Sequence, residues 1–167
     1  MNKTFCLILV GGVFAAYFTS CKKSTTCGVA SETANAIDSA SVPIAVRDSF
    51  HFQYPAIDAK WYLEEPDYEA SILLGSVKTT IIYSAGAERL QIETEIGITD
   101  LPSNIANVIA ANFSNYSIKS AAKIDDLDLG IIKYEAEVEK TDAHYDLIYD
   151  INANLIDQID LCVELPD

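Results

Sequence analysis

A short motif that occurs twice constrains the fold of this chain more than any other feature. Tyr68-Glu69-Ala70 returns as Tyr134-Glu135-Ala136, an offset of 66 residues from position 68 to position 134, and Ile82-Tyr83 returns as Ile148-Tyr149 at the same offset. Motifs that keep their spacing indicate that one structural unit occurs twice. The sequence therefore predicts two tandem copies of this unit within residues 41–167.

Each copy has the pattern of one helix followed by several short strands. Residues 90–96 show the clearest alternation, because apolar residues fall on one face and Gln91, Glu93 and Glu95 on the other. Residues 131–139 alternate in the same way. A meander with one apolar face requires a helix to cover that face. The predicted fold class is therefore α+β, as two tandem repeats of one helix plus a four-stranded antiparallel meander sheet.

The N-terminus predicts secretion and a lipid anchor. Lys3 gives the start a positive charge, and residues 5–18 form an uncharged apolar run that is too short for a bilayer-spanning helix of about 20 residues. Thr19-Ser20-Cys21 follows and resembles a lipobox. We therefore expect residues 1–20 to be a lipoprotein signal peptide and Cys21 to carry a diacylglycerol and further acyl chains such as palmitate. The alternative is ordinary signal cleavage, with Cys21 left as a thiol.

The segment after Cys21 predicts a flexible tether. Residues 21–40 are mostly small and polar and sustain no apolar period. Cys27 in this segment and Cys162 near the C-terminus remain once the signal is removed. The oxidising conditions met by exported proteins permit a disulfide between them. The alternative for Cys162 is a buried or idle thiol.

The charge of the chain argues against several partners. Its formal net charge is −14 at pH 7. Nucleic acid is excluded as a partner, because neutralising phosphates requires lysine and arginine. Solubility explains such acidity most simply, and a basic partner is the alternative.

The polar residues form no pattern that is typical of catalysis or metal binding. His51 and His144 lack metal-ligand spacing and are predicted to be surface or capping residues. Residues 150–154 begin like a calcium loop, yet Leu155 stands where such a loop requires glycine, so a tight turn is favoured. The acidic cluster at 125–128 is most simply a solvated loop. We therefore predict no enzyme, no metal site and no cofactor.

The order of these features resembles a known family. The sequence is similar to the PepSY-like, beta-lactamase-inhibitor-like family of small exported bacterial proteins over roughly residues 45–160. The features that carry the resemblance are, in chain order, the first helix, Pro55, Trp61, Tyr68-Glu69-Ala70, Ile81-Ile82-Tyr83, Leu101-Pro102, the second helix and Tyr134-Glu135-Ala136. The resemblance implies an exported domain and no catalytic residues, and a fold by itself does not fix function.

These observations lead to one expected function and one alternative. We expect a non-enzymatic envelope lipoprotein, held by lipid on Cys21 at the outer membrane and facing the periplasm, that binds or inhibits an envelope protein or peptide. The alternative is a periplasmic protein that binds a small ligand or a divalent cation. Aromatic rings supply much of the energy in protein interfaces. The candidate interaction residues are therefore Trp61, Tyr62, Tyr83 and Tyr149, for each of which core packing is the alternative.

Overall fold

The computed structural model describes residues 25–27 and 36–164, so the predicted signal peptide and Cys21 lie outside the described residues. The helices are α1 at Ile44–Gln53 and α2 at Ser103–Asn112. The strands are β1 at Thr25–Cys27, β2 at Ala36–Ile37, β3 at Lys60–Glu64, β4 at Asp67–Leu74, β5 at Val77–Tyr83, β6 at Arg89–Ile96, β7 at Ser117–Asp126, β8 at Ile131–Lys140, β9 at Ala143–Asp150, β10 at Leu155–Asp160 and β11 at Cys162–Glu164. No helix among the described residues is long and apolar enough to cross a bilayer.

Strands β2 to β10 form a single antiparallel sheet. Its nine strands follow one another in chain order from β2 at one edge to β10 at the other. Strands β1 and β11 form a separate two-stranded antiparallel ladder. Strand β2 belongs to the segment that the sequence predicts as a tether, and it pairs with Trp61 and Tyr62 of β3.

The predicted architecture of two tandem repeats, each of one helix plus a four-stranded meander, is wrong. Strands β6 and β7 pair along six residues, from Gln91 opposite Asp126 to Ile96 opposite Ala121. This pairing joins all the main strands into one sheet, and the ten-residue helices are minor elements beside it. The physical reason is that two separate meanders would each leave an edge of unpaired backbone groups, which β6 and β7 satisfy for each other.

Both helices pack on the same face of the sheet. In α1 Val46 and Phe50, four residues apart, pack against Trp61, Ile81 and Tyr83. The equivalent pair in α2 is Ile105 and Ile109, and the buried residues packed with it are Leu101, Ala121, Ala136, Val138, Leu147 and Tyr149. The hydrophobic core therefore lies between the sheet and its two helices, as two neighbouring clusters.

The strand register identifies the residues of the other face. Residues directly opposite each other in paired strands point to the same side of the sheet. Trp61, Ala70 and Ile81 stand opposite one another on the face that the helices cover. Tyr62 and Glu69 are one position away from Trp61 and Ala70, and therefore point to the other side. We call this uncovered side the open face. It also carries Lys78, Glu93, Ala122, Ile124, Glu135, Glu137, His144 and Asp146.

An acidic open face as the candidate functional site

The predicted aromatic interaction residues are separated by the fold. Trp61, Tyr83 and Tyr149 are buried in the two core clusters beneath the helices. Tyr62 is half-buried and lies on the open face, opposite Glu69. Only Tyr62 of these four residues is therefore placed on the uncovered side of the sheet.

The two predicted disulfide residues come together in the backbone ladder of β1 and β11. The Cα atoms of Cys27 and Cys162 are partners in its antiparallel register. Cys162 is disulfide-bonded. The register favours the predicted link between Cys27 and Cys162, which stays a prediction. The lipidation residue Cys21 lies outside the described residues.

The centre of the open face has a closely packed floor. Ala122 and Ile124 of β7 are only 6% and 2% exposed, although neither α1 nor α2 covers this side of the sheet. Ile124 stands opposite Glu93 on β6, and Ala122 stands between Glu95 on β6 and Glu135 on β8. Glutamate side chains can lay their aliphatic stems over an apolar surface and keep the carboxylate at its rim. The floor is therefore covered by the acidic side chains that flank it.

Three half-buried carboxyl groups converge around this floor. We call Glu93, Glu135 and Asp146 the carboxylate triad. Burial, together with the nearby charges of Glu93, Asp146 and Glu137, raises the pKa of Glu135 to about 8. Burial also raises the pKa of Glu93 and the pKa of Asp146, with like charges adding to both. The open face thus places three carboxyl groups where water solvates their charged forms poorly.

Lys78 of β5 offsets a part of this negative charge. Its positive charge lowers the pKa of both Glu93 and Glu135. For each of these glutamates the opposite effect of burial is larger, so the net shift is upward. A further cation placed over the floor would therefore be favoured electrostatically.

A neighbouring group fixes the β8–β9 side of the open face. The Ser120 hydroxyl donates a hydrogen bond of 2.6 Å to Glu137 Oε2, and His144 Nε2 lies 2.6 Å from Glu137 Oε1. His144 is 4% exposed, so the predicted surface position of this residue is wrong. Local sequence patterns do not predict this burial, because it depends on the pairing of β8 with β9, which brings His144 within reach of Glu137.

The arrangement of the open face fits recognition by charge. Among residues 25–27 and 36–164, no group of three or more His, Cys, Asp or Glu side chains is arranged to hold a metal ion. Asp125 and Asp126, predicted to lie in a solvated loop, are the last residues of β7, and Lys133 Nζ lies 2.6 Å from Asp126 Oδ2. Ammonium and guanidinium groups are the cations that proteins present to such carboxylates.

Comparison with known proteins identifies the fold. No family model matches the sequence, and no curated protein matches it. A solved periplasmic protein from Bacteroides eggerthii DSM 20697 aligns with a TM-score of 0.64 and 17% identity, over 71% of this chain and 88% of its own. A DUF2874 family protein from Bacteroides uniformis ATCC 8492 aligns with a TM-score of 0.62 and 18% identity, over 71% and 88%.

A third solved structure is described as BLIP-like. A BLIP-like protein from Bacteroides fragilis NCTC 9343 aligns with a TM-score of 0.57 and 20% identity, over 75% of this chain and 89% of its own. Identities this low establish the fold and nothing finer. The chain therefore has a BLIP-like fold, shared with solved DUF2874 family proteins.

Proposed function

We propose that the protein is a non-enzymatic binding module of the cell envelope, which holds a basic segment of a protein or peptide partner on its open face. The observation that carries this proposal is the carboxylate triad, which is half-buried on a sheet face that neither α1 nor α2 covers. Sheet faces left open in this way are available for a partner, and complementary charge gives such contacts their specificity.

A lysine or arginine from a partner would reduce the electrostatic repulsion among the carboxylates of the triad. At 4 Å, opposite charges near a protein surface attract by roughly 4 kcal/mol before desolvation is counted. Glu135, with a pKa of about 8, carries a proton for most of the time at pH 7. Binding of a cation would lower that pKa and release the proton. Proton release on binding is therefore a specific signature of this mode of recognition.

The solved neighbours support an envelope location for this protein, and the lipid anchor is a separate proposal. One neighbour with this fold is described as periplasmic and another as BLIP-like. We propose that acyl chains on Cys21 hold the protein at the outer membrane. Replacing Cys21 by alanine should move the protein from the membrane fraction to the soluble periplasmic fraction. Unchanged partitioning of the Cys21→Ala variant would refute the lipid anchor.

Calorimetry with a defined cationic probe tests the open face. A short peptide of alternating arginine and glycine should bind the full chain at pH 7, and the apparent enthalpy should vary with the ionisation enthalpy of the buffer because a proton is released. The Glu93→Gln, Glu135→Gln variant should lose about tenfold or more in affinity, since one close charge pair is worth at least that factor.

The matched control is Glu64→Gln, which removes an exposed carboxylate of β3 on the same face and away from the triad. Its affinity for the peptide should stay within a factor of about two, given the small value of exposed ion pairs. Equal losses in the Glu64 and triad variants would show attraction by overall charge only and would overturn the proposed site.

A further inference from the structure

A group of large apolar side chains is exposed at one end of the sheet. It lies on the tips of two hairpins, the one joining β7 to β8 and the one joining β9 to β10. These side chains are between 40% and 64% exposed. We call them the hairpin-tip patch, and they are Leu127, Leu129, Ile131, Ile132, Ile151 and Leu155.

The strand register brings the two tips together at one end of the sheet, where the hairpin-tip patch wraps around both faces because Ile131 and Ile132 point to opposite sides. Lys133 stands opposite Asp150, where β9 ends. Ile131 and Ile132 precede Lys133 on β8 and therefore run alongside the turn that starts at Ile151. Adjacent strands are about 4.8 Å apart, so the two tips lie within one side-chain length of each other. Large apolar patches of this kind usually mark contact surfaces in soluble proteins.

Both tips are held rigidly by aspartate side chains. In the tip between β7 and β8, Asp126 accepts a hydrogen bond of 2.9 Å from the backbone N–H of Leu129 and forms an ion pair with Lys133. In the tip between β9 and β10, Asp150 accepts bonds of 2.8 Å from the backbone N–H groups of Asn152 and Asn154. A surface that is fixed in advance loses less entropy when a partner binds. The apolar side chains are thus presented on a preorganised support.

The carboxylates that build the turns also surround the patch with negative charge. Hydrogen bonds from Lys133 and from the backbone of Leu129 lower the pKa of Asp126. Hydrogen bonds from Asn154 and Asn152 lower the pKa of Asp150. Exposed Asp128 and Asp157 lie next to the patch in sequence. Lys133 pairs with Asp126 and offsets one of these four charges, so the rim of the patch carries a net negative charge.

We propose that the hairpin-tip patch is a second docking surface, specific for a protein that presents an apolar centre framed by lysine and arginine. An apolar centre with a polar rim is the common anatomy of a protein interface. The anionic rim selects a basic partner surface and disfavours a second copy of this chain, which would bring like charges together. It equally disfavours the anionic surface of a phospholipid bilayer.

NMR with a short peptide of alternating leucine and lysine tests this second surface on the full chain. We expect amide shifts at residues 126–132 and 150–156 that persist in the Glu93→Gln, Glu135→Gln variant, and a loss of affinity at these residues of about tenfold or more in the Leu129→Ser, Ile151→Ser variant. The matched control is Leu73→Ser at the opposite end of the sheet, where Leu73 is also exposed. Its affinity should be unchanged.

Several results would overturn the second surface. These are shifts that appear only outside the two tips, equal binding of a peptide of alternating leucine and glutamate, and no effect of the double serine variant. Self-association, or binding to phosphatidylglycerol vesicles, that is lost in the serine variant would show that the patch binds a second copy of this chain or a lipid surface. Either result would overturn the proposal of a basic protein partner. The single Leu129→Ser variant repeats the test if the double variant unfolds. Glu135→Gln should leave this binding unchanged, which separates the patch from the open face.

Discussion

His144 Nε2 lies 2.6 Å from Glu137 Oε1, and this contact links β8 and β9 on the open face. Because His144 is buried, removing its ring would leave a cavity and take a partner from Glu137. We expect His144→Ala to lower the free energy of unfolding by about 1–3 kcal/mol in urea denaturation. His51 is exposed on α1, and His51→Ala should change the same quantity by less than about 0.5 kcal/mol. Similar effects of the two substitutions would argue against the contact.

The raised pKa of Glu135 predicts how stability depends on pH. Its pKa is about 8 in the folded protein against an ordinary glutamate pKa of 4.5, so the folded state binds more protons between these two values. Stability contributed by this group is therefore fully present below pH 4.5 and is lost as the pH rises through about 8. Glu135→Gln should flatten this decline and should be more stable than the wild type at pH 9.

The control for this pH effect is Glu95→Gln, which removes an exposed carboxylate of the same face. Its unfolding free energy should follow the wild-type pH profile. Carbon-13 NMR of the glutamate carboxyl groups should show one resonance titrating near pH 8 that is absent from the Glu135→Gln spectrum. A wild-type protein in which every glutamate titrates below pH 6 would contradict the burial of Glu135.

Two tyrosines beneath the helices carry hydroxyl groups without a hydrogen-bond partner among the described residues. These are Tyr83 and Tyr149, which are almost completely buried. A buried hydroxyl that lacks a partner costs about 1–3 kcal/mol. We therefore expect Tyr149→Phe to be at least as stable as the wild type in thermal unfolding, while Tyr149→Ala loses about 3–5 kcal/mol through the cavity. A marked loss in Tyr149→Phe would show that the hydroxyl is satisfied.

The backbone register of β1 and β11 predicts a covalent link between Cys27 and Cys162. Non-reducing mass spectrometry of a protease digest should recover one peptide pair that contains both residues. Closing a loop of this length stabilises a protein by roughly 4–5 kcal/mol in the chain-entropy description. Cys27→Ser should accordingly lower the melting temperature to that of the reduced wild type. Recovery of Cys27 in an unlinked peptide from non-reduced protein would refute the pairing.

Local sequence patterns predicted the individual elements better than their assembly. The apolar alternation at 90–96 and at 131–139 coincides closely with β6 and β8, because alternation depends only on neighbouring residues. The union of all main strands into one sheet depends on the contact of Glu95 with Ala122, which are far apart in the chain. No local sequence pattern predicts which edge strands of two meanders will pair with each other.

The same distinction applies to the candidate surfaces. Alternation placed Glu135 and Glu137 together on one face, and the structure shows that face to be uncovered. The aromatic residues were harder to assign, because Trp61 and Tyr62 are adjacent in a strand and point to opposite faces. Which face a helix covers is decided by tertiary packing. The sequence pattern therefore does not show which of these two residues lies on the covered face. The exposed tips were not predicted, because apolar residues near turns resemble core residues in sequence.

The pairing of β6 with β7 also bears on how the chain would respond to being cut. A break in the segment between Ile96 and Ser103 would leave two fragments, each with a bare strand edge that matches the other. Once the disulfide of Cys162 is reduced, such fragments should reassociate without a covalent connection and restore the continuous sheet. The protein is therefore a candidate for fragment complementation, in which β6 of one fragment pairs with β7 of the other.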